Sequence, residues 1–166
     1  DWSRVRKVHL IGIGGSAMGN FAGMLQARGM EVRGSDVTVF DPMRTQLQKW
    51  GIPFTEGWSA DNLGWSPDLV VVGNVVRRDN VEAVAMREHN LPYCSFPEGL
   101  GELFLPARTP VVIAGTHDPA TPPAAGEEIQ KRIKGAKLAT IDASHISNMG
   151  QPKAYADLVL GFLTQP

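Results

Sequence analysis

The sequence predicts an α/β protein: one Rossmann-like, three-layer α/β/α domain built on a mostly parallel sheet of about seven strands. Short runs rich in β-branched residues alternate with amphipathic stretches along the chain. This alternation is typical of parallel sheets with right-handed helical crossovers. The run Asp68–Gly73 is almost continuously apolar, as expected of a strand buried on both faces. A chain of 166 residues has the length of one ordinary domain, and we expect residues 1–166 to form it.

In the first part of the chain the pattern predicts five strands and four helices. Gly29 ends the first helix, and Asp41 with Pro42 offers the second helix an N-cap and a proline at its first position. The predicted strands are Val8–Ile13, Glu31–Gly34, Ile52–Phe54, Asp68–Gly73 and Pro92–Ser95, and the predicted helices are Met18–Arg28, Pro42–Trp50, Asn80–His89 and Pro97–Phe104.

The rest of the chain shows the same alternation of predicted strands and helices. Leu105–Arg108 is the plausible linker, and because it is short we expect one continuous sheet of strand order 3-2-1-4-5-6-7. The predicted strands here are Pro110–Ala114 and Lys137–Ile141, and the predicted helices are Pro123–Ile133 and Pro152–Leu163.

Composition and charge exclude several classes of function. The formal net charge is −1, so nothing argues for binding to nucleic acid or to an anionic membrane. The apolar runs are far shorter than the roughly 18 residues of a membrane span. The single cysteine, Cys94, lies in an apolar run and is expected to be an inert buried thiol. Four scattered histidines have no metal-ligand spacing, so we expect neither a metal nor a cofactor.

A glycine-rich turn follows the first predicted strand. Gly12, Gly14, Gly15 and Ser16, with Ala17, fit the pattern G-x-G-x-x-A between a strand and a helix. Glycines there permit a tight turn, and the free N–H groups of a helix N-terminus attract a phosphate. Asp36 ends the second strand, where a dinucleotide site would place an acid near a ribose. The alternative is a tight strand–helix turn with no ligand.

These motifs together resemble the amino-terminal domain of a Mur ligase, of the branch that attaches UDP-N-acetylmuramate to alanine or to a recycled tripeptide. The resemblance covers about residues 5–117 and lies in Val8–Gly19, Arg33–Asp36, Val72–Asn74 and Arg78–Asn80. It implies a UDP-sugar, or another anion, as the partner, and a cytoplasmic location. By the same resemblance, Gly12, Gly14, Gly15 and Ser16 would face the pyrophosphate, and Asp36 and Asn74 the uridine. For Arg77-Arg78, a solvated loop pair and a phosphate contact both stay open.

The family's next motif is altered in this chain. In such ligases the Ala-Gly-Thr-His run continues into the Gly-Lys-Thr phosphate loop of an ATPase domain. Here Gly115-Thr116-His117 is followed by Asp118-Pro119-Ala120. The lysine is missing, the proline removes an amide donor, and Asp118 would repel phosphate. The sequence therefore predicts no ligase activity.

The last part of the chain resembles the carboxyl-terminal part of an α/β-hydrolase of the oxoadipate enol-lactonase type. The resemblance lies in Ile113–Pro122, Asp142–Asn148 and Gln151–Phe162. It implies that Asp118 orients His145, as in a catalytic triad. The chain has no G-x-S-x-G nucleophile motif, so both residues are expected to be vestigial. A helix-capping aspartate and a loop histidine are the alternative.

We interpret the sequence as an engineered chimera of a Mur-ligase-like fragment, 1–108, and a hydrolase-like fragment, 109–166. The shared Ala-Gly-Thr-His run, 114–117, is a natural crossover. This interpretation predicts a chain that is not an enzyme. One alternative is a binding module that retains weak affinity for a UDP-sugar at the glycine-rich turn. The other is a residual esterase.

Overall fold

A computed structural model of the chain describes residues 2–106 and 108–164. The chain divides into two compact units, Asp1–Pro106 and Ala107–Pro166, which we call the first unit and the second unit.

The first unit is built on a parallel sheet of five strands in the order 3-2-1-4-5. The order and the parallel pairing confirm the predicted α/β, Rossmann-like class. Neighbouring strands align so that residue 9 pairs with residues 33 and 70, and residue 71 pairs with residue 94. The strands are β1 (Lys7–Ile11), β2 (Glu31–Asp36), β3 (Phe54–Glu56), β4 (Leu69–Val72) and β5 (Tyr93–Ser95).

Four α-helices connect these strands. Asn80 caps the third helix by accepting the N–H groups of Glu82 and Ala83, and Ser95 forms a capping box with Glu98 at the start of the fourth. The helices are α1 (Ser16–Ala27), α2 (Met43–Trp50), α3 (Val81–Glu88) and α4 (Phe96–Phe104), with short 3-10 helices at Trp2–Arg4 and Ala60–Leu63.

Two local predictions were wrong. The third strand begins at Phe54 rather than Ile52, because Ile52 is buried behind α2 and Pro53 has no N–H for the ladder. The second helix begins at Met43, so Pro42 and not Asp41 occupies the N-cap position. The Asp41 carboxylate instead accepts the N–H and the hydroxyl of Thr45 inside the first turn.

The sheet of the first unit separates two apolar layers. Side chains alternate along β1, so Val8 and Leu10 pack with Phe21 of α1. Ile11 lies in the other layer with Met86 of α3. His9 also belongs to that second face, where it is almost fully buried.

The second unit contains a separate parallel sheet of two strands, β6 (Val111–Gly115) and β7 (Lys137–Ile141). The predicted continuous seven-stranded sheet was therefore wrong. Strand–helix alternation identifies parallel neighbours, but it does not determine whether the two parts of a chain share one sheet. Helices α5 (Pro123–Arg132), α6 (Ser147–Gly150) and α7 (Pro152–Leu163) complete the unit.

No helix in the described ranges is both long and apolar enough to span a bilayer.

Candidate functional site

The glycine-rich turn lies at the carboxyl end of β1. Gly12 has a φ of +93°, a left-handed conformation that favours glycine. The carbonyl of Ser35 accepts the N–H groups of Gly12 and Ile13, at 2.8 and 3.1 Å. These two bonds fix the turn to the end of β2, which is why the chain reverses directly into α1.

The first amides of α1 are free to bind a ligand. Gly15 occupies the N-cap position, and no side chain caps the helix. Within residues 2–106 and 108–164, the N–H groups of Ser16, Ala17 and Met18 have no hydrogen-bond acceptor. Uncapped amides at the positive end of a helix attract an anion.

These amides open into a cavity of about 440 Å³. Its walls include the ends of the three central strands, so all six sequence-predicted ligand residues lie in one place. The predicted residues that line it are Gly12, Gly14, Gly15, Ser16, Asp36 and Asn74. The cavity lies beyond the carboxyl ends of parallel strands, where open α/β sheets bind their ligands.

Asp36 is held by the turn itself. One carboxylate oxygen accepts the N–H of Gly14 and the other accepts the N–H of Val37, both at 2.8 Å. The amide of Gly14 is therefore already bonded, which leaves the α1 amides for a phosphate. A Cβ at Gly14 would lie 2.9 Å from the Asp36 carboxylate oxygen that accepts this amide, so a larger residue would have to displace the Asp36 side chain.

A buried polar network supports the site from the opposite face of the sheet. The Glu82 carboxylate accepts the hydroxyl of Ser35, and its other oxygen accepts the Asn62 amide at 2.6 Å. It also accepts the N–H of Ser59 at 3.2 Å. Because Ser35 carries the carbonyl that anchors the turn, Glu82 fixes the residue on which the turn depends.

His9 is part of this network. Trp65 Nε1 lies 3.2 Å from His9 Nδ1, and because an indole nitrogen only donates, Nδ1 must be the acceptor. The ring proton therefore lies on Nε2, which is 3.2 Å from the hydroxyl of Ser35. His9 is therefore a buried core histidine with a hydrogen-bond partner at each ring nitrogen.

Burial raises the pKa of Glu82, but hydrogen bonds from His9, Ser35, Asn62 and Ser59 outweigh it and lower the pKa below its ordinary value. Sequence analysis did not single out Glu82. The available clue was its place in α3, one turn before the buried Ala85 and Met86 on the same face.

A second cluster lies at the carboxyl ends of β6 and β7 in the second unit. Asp118, whose side chain is almost fully buried, lies 2.8 Å from Nδ1 of His145. The predicted Asp118–His145 contact is thus present. Asp118 also accepts the N–H of Ala120 and both the N–H and the hydroxyl of Thr121. The Thr121 backbone bond is the largest of the causes that lower the Asp118 pKa, with further lowering by His145, against the opposing effect of burial.

Asp118 therefore caps its own loop and also orients an imidazole. His145 is largely exposed. Across the described part of the chain, no hydroxyl or thiol forms a hydrogen bond with its Nε2 atom. The pair has the Asp–His contact of a catalytic triad, and the vestigial role expected for both residues stays a prediction.

Two family models match the chain, one over each part. The model of the Mur ligase family, catalytic domain, matches residues 7–108. The chain belongs to the Mur ligase family. The model of the TAP-like proteins, a hydrolase family, matches residues 101–166. Both resemblances noted in the sequence are confirmed.

Sequence relatives cover the Mur-ligase part. The UDP-N-acetylmuramate–L-alanyl-γ-D-glutamyl-meso-2,6-diaminoheptandioate ligase of Escherichia coli K12 is 41% identical over 115 residues, which are 69% of this chain and 25% of the ligase. The UDP-N-acetylmuramate–L-alanine ligase of Solidesulfovibrio magneticus is 40% identical over 119 residues, 72% of this chain and 25% of that protein. The chain spans about a quarter of the length of these curated relatives.

Solved structures agree. A murein peptide ligase from Psychrobacter arcticus has a TM-score of 0.62 and 40% identity over 66% of this chain and 23% of its own. A UDP-N-acetylmuramate–alanine ligase from Thermotoga maritima has a TM-score of 0.60 and 30% identity over 66% of this chain and 25% of its own. The expectation that the chain is not an enzyme was wrong, because its family and its relatives are ligases.

Proposed function

We propose that this Mur ligase family chain binds a UDP-linked amino sugar of the UDP-N-acetylmuramate class at the glycine-rich turn, as the nucleotide-sugar-binding part of a ligase. The observation that carries the proposal is the uncapped start of α1, where the amides of Ser16, Ala17 and Met18 open into the 440 Å³ cavity. The names of the relatives, which are UDP-N-acetylmuramate ligases, support this ligand class.

The chemistry of the cavity agrees with a diphosphate and a nucleoside. The diphosphate accepts hydrogen bonds from the free amides and gains from the partial positive charge of the helix end. Asp36 and Asn74 line the same cavity and supply acceptor and donor atoms for the ribose and base. The Asp36 oxygens each retain a lone pair beyond the amides of Gly14 and Val37.

The test is a substitution that repels the diphosphate without harming the helix. Ser16 is exposed and lies in the first turn of α1, where an aspartate favours folding but opposes a bound anion. At about 5 Å and an effective dielectric constant of about 20, two like charges repel by roughly 3 kcal/mol. We expect Ser16→Asp to weaken UDP-N-acetylmuramate binding at least about tenfold in isothermal titration calorimetry.

Ala124→Asp is the matched control. Ala124 is exposed in the first turn of α5, which also contains no acid, so the same charge is added to a helix start in the second unit. It should leave binding unchanged. Equal affinities for the wild type and Ser16→Asp would overturn the proposal, as would a wild type that gives no heat with millimolar ligand.

A second candidate function comes from the hydrolase-like unit. The 2.8 Å contact between Asp118 and His145 Nδ1 favours a general base, because the carboxylate holds the imidazole ring in a fixed orientation. We infer a weak activity that directs water at activated esters. Hydrolysis of p-nitrophenyl acetate should slow in His145→Ala, and equal rates in the two proteins would end this candidate.

Two family models match different parts of the chain, which fits an origin by recombination. We propose that the recombination took place near residues 114–117, at the end of β6. Engineering as its cause stays a prediction.

A further inference from the structure

The second unit has a small sheet for the helices that accompany it. The sheet consists of the two parallel strands β6 and β7, whereas parallel sheets usually have more strands and helices on both faces. Helix α7 is rich in apolar residues, but none of its residues is buried. Leu160 and Leu163 of this helix are 57% and 75% exposed. The unit therefore lacks sheet surface, which further strands would supply.

The edge of β6 that faces away from β7 carries free hydrogen-bonding groups. The carbonyl of Pro110 accepts the N–H of Lys137, and the N–H of Thr116 donates to the carbonyl of Ile141, both at 2.9 Å. Backbone groups of alternate residues point to opposite sides of a strand, so the odd-numbered residues of β6 point away from β7. Among the residues that the structure describes, no acceptor lies opposite the N–H groups of these three, which are Val111, Ile113 and Gly115.

The sequence of β6 does nothing to protect this edge. Natural proteins protect exposed edge strands with lysine, other charged residues or proline. The five residues Val111–Gly115 contain no charge and no proline. Pro110 precedes the strand, but its backbone points towards β7 and leaves the outer edge open. The strand β7, in contrast, begins with Lys137. The β6 edge is therefore the edge of this sheet that is open to another strand.

We propose that β6 pairs antiparallel with β6 of a second copy of this chain, which joins two small sheets into one of order β7-β6-β6-β7. The twofold axis lies at Ile113. In this register Ile113 exchanges two hydrogen bonds with Ile113 of the second copy, and Val111 exchanges two with Gly115. The carbonyl of Gly115 already accepts the Asp118 N–H at 3.3 Å and uses its second lone pair. Every free N–H of the edge thereby gains an acceptor.

The side chains and flanking charges favour this antiparallel register. Arg108 is exposed shortly before β6, and Asp118 follows the strand, so antiparallel pairing brings opposite charges to each end of the interface. Parallel pairing would bring like charges together. Each valine lies opposite a small residue, and the β-branched isoleucines meet at the centre. The opposed residues are Val111 with Gly115, Val112 with Ala114, and Ile113 with Ile113.

Sedimentation velocity of the wild type tests the association itself. The interface is small, so we expect a dissociation constant of roughly 10 µM. The protein should sediment as a monomer at about 1 µM and mainly as a dimer at about 100 µM. A monomer at about 100 µM would overturn the proposal.

Hydrogen exchange measured by mass spectrometry locates the contact without any substitution. A peptide spanning residues 109–116 should exchange at least about threefold more slowly at 100 µM than at 1 µM, roughly in proportion to the dimer population. A peptide spanning 137–141 should exchange equally at both concentrations, because β7 lies at the outer edge of the joined sheet. A dimer whose β6 peptide shows no added protection would overturn the proposal.

Proline substitutions at the two edges form a matched pair. Ile113→Pro removes the central outward N–H, which is not bonded to β7, and so leaves the β6–β7 ladder in place. It should raise the dissociation constant at least about tenfold. Leu138→Pro removes an outward N–H from the other edge of the same sheet and should leave the dimer intact. With folding of both checked by circular dichroism, unchanged dimerisation of Ile113→Pro, or an equal loss in both variants, would contradict pairing through β6.

A charge exchange at Ile113 covers the case in which proline unfolds the strand. Ile113→Lys and Ile113→Glu each place like charges opposite each other at the twofold axis, so each variant alone should be monomeric at about 100 µM. An equimolar mixture should dimerise, because lysine then lies opposite glutamate. Variants that dimerise alone, or a mixture that stays monomeric, would overturn the register centred on Ile113.

Discussion

Glu82 should contribute more to the stability of the first unit than any exposed glutamate does. Replacement by glutamine keeps the size of the side chain and keeps one oxygen to accept from Asn62 and Ser59. It replaces the other oxygen, which accepts the Ser35 hydroxyl, by an NH₂ group. His9 presents a donor, its Nε2–H, to the Ser35 hydroxyl. His9 therefore cannot replace Glu82 as the acceptor of the Ser35 hydroxyl proton.

The magnitude follows from this lost bond. A hydrogen bond to a charged group contributes about 1.5–3 kcal/mol, and a buried donor without a partner costs about 1–3 kcal/mol. We expect Glu82→Gln to lower the free energy of unfolding by about 2 kcal/mol in urea denaturation followed by tryptophan fluorescence. All four tryptophans lie in the first unit, so this signal reports on it directly.

The pH dependence provides an independent check. The pKa of Glu82 is lower in the folded protein than the value of about 4.3 expected for an unfolded chain. Its stabilisation is therefore fully present above about pH 4.3 and is lost as the pH falls through the folded-state pKa. Glutamine does not titrate, so the stability difference between wild type and Glu82→Gln should narrow towards acid pH.

Glu88→Gln is the control, because Glu88 is exposed on the same helix. It should change stability by less than about 0.5 kcal/mol. A cost below about 0.5 kcal/mol for Glu82→Gln, or a stability difference from wild type that stays constant with pH, would contradict the stabilising role of Glu82.

Three further predictions follow from the described contacts. Gly14→Ala should lower the free energy of unfolding by about 1–3 kcal/mol and weaken nucleotide binding, because its Cβ would lie 2.9 Å from the Asp36 carboxylate. Gly101→Ala, which has open space around its Cβ, should have neither effect. Equal urea midpoints for the two variants would contradict this prediction. Cys94 is buried, and burial raises the pKa of its thiol to about 11. Iodoacetamide at about pH 8 should therefore alkylate Cys94 far more slowly in the folded protein than in the unfolded chain. Mass spectrometry would measure the two rates, and equal rates would contradict this prediction. Asp118→Ala removes the acceptor of the Thr121 N–H, so hydrogen exchange of the Thr121 amide should accelerate at least about tenfold. Unchanged protection of this amide would show that Asp118 does not stabilise its own loop.

The first unit was predictable because its local and global patterns agree. Continuous apolar runs identified β1 and β4, and Gly29 follows the C-cap of α1, close to the predicted end of that helix. The weak strand near Ile52 was misplaced because its burial comes from packing behind α2 rather than from the sheet. Short apolar runs do not distinguish these two environments.

The candidate site was only partly predictable. The glycine-rich motif identified Gly12, Gly14, Gly15 and Ser16, and the end of the second strand added Asp36. The resemblance to Mur ligases added Asn74, and all six residues line one cavity. The hydrogen bond from the Gly14 N–H to Asp36 depends on the rotamer of the Asp36 side chain, which no sequence pattern fixes. The Glu82 network joins residues far apart in sequence, from His9 to Glu82, and such contacts follow from topology.

The separate two-stranded sheet depends on which strands meet in space. The sequence of β6 and β7 predicted a parallel pair, and the structure has that pair. The prediction that this pair would continue the sheet of the first unit depended only on the regular alternation of strands and helices along the chain.

Backbone amide shifts measured by NMR during titration with UDP-N-acetylmuramate would show whether the ligand binds at the start of α1. We expect saturable shifts at Ser16, Ala17 and Met18, whose amides are free in the structure, together with smaller shifts at Asn74. The first-turn amides of α5 should not move. An unchanged spectrum at millimolar ligand, or shifts that leave the start of α1 untouched, would contradict it.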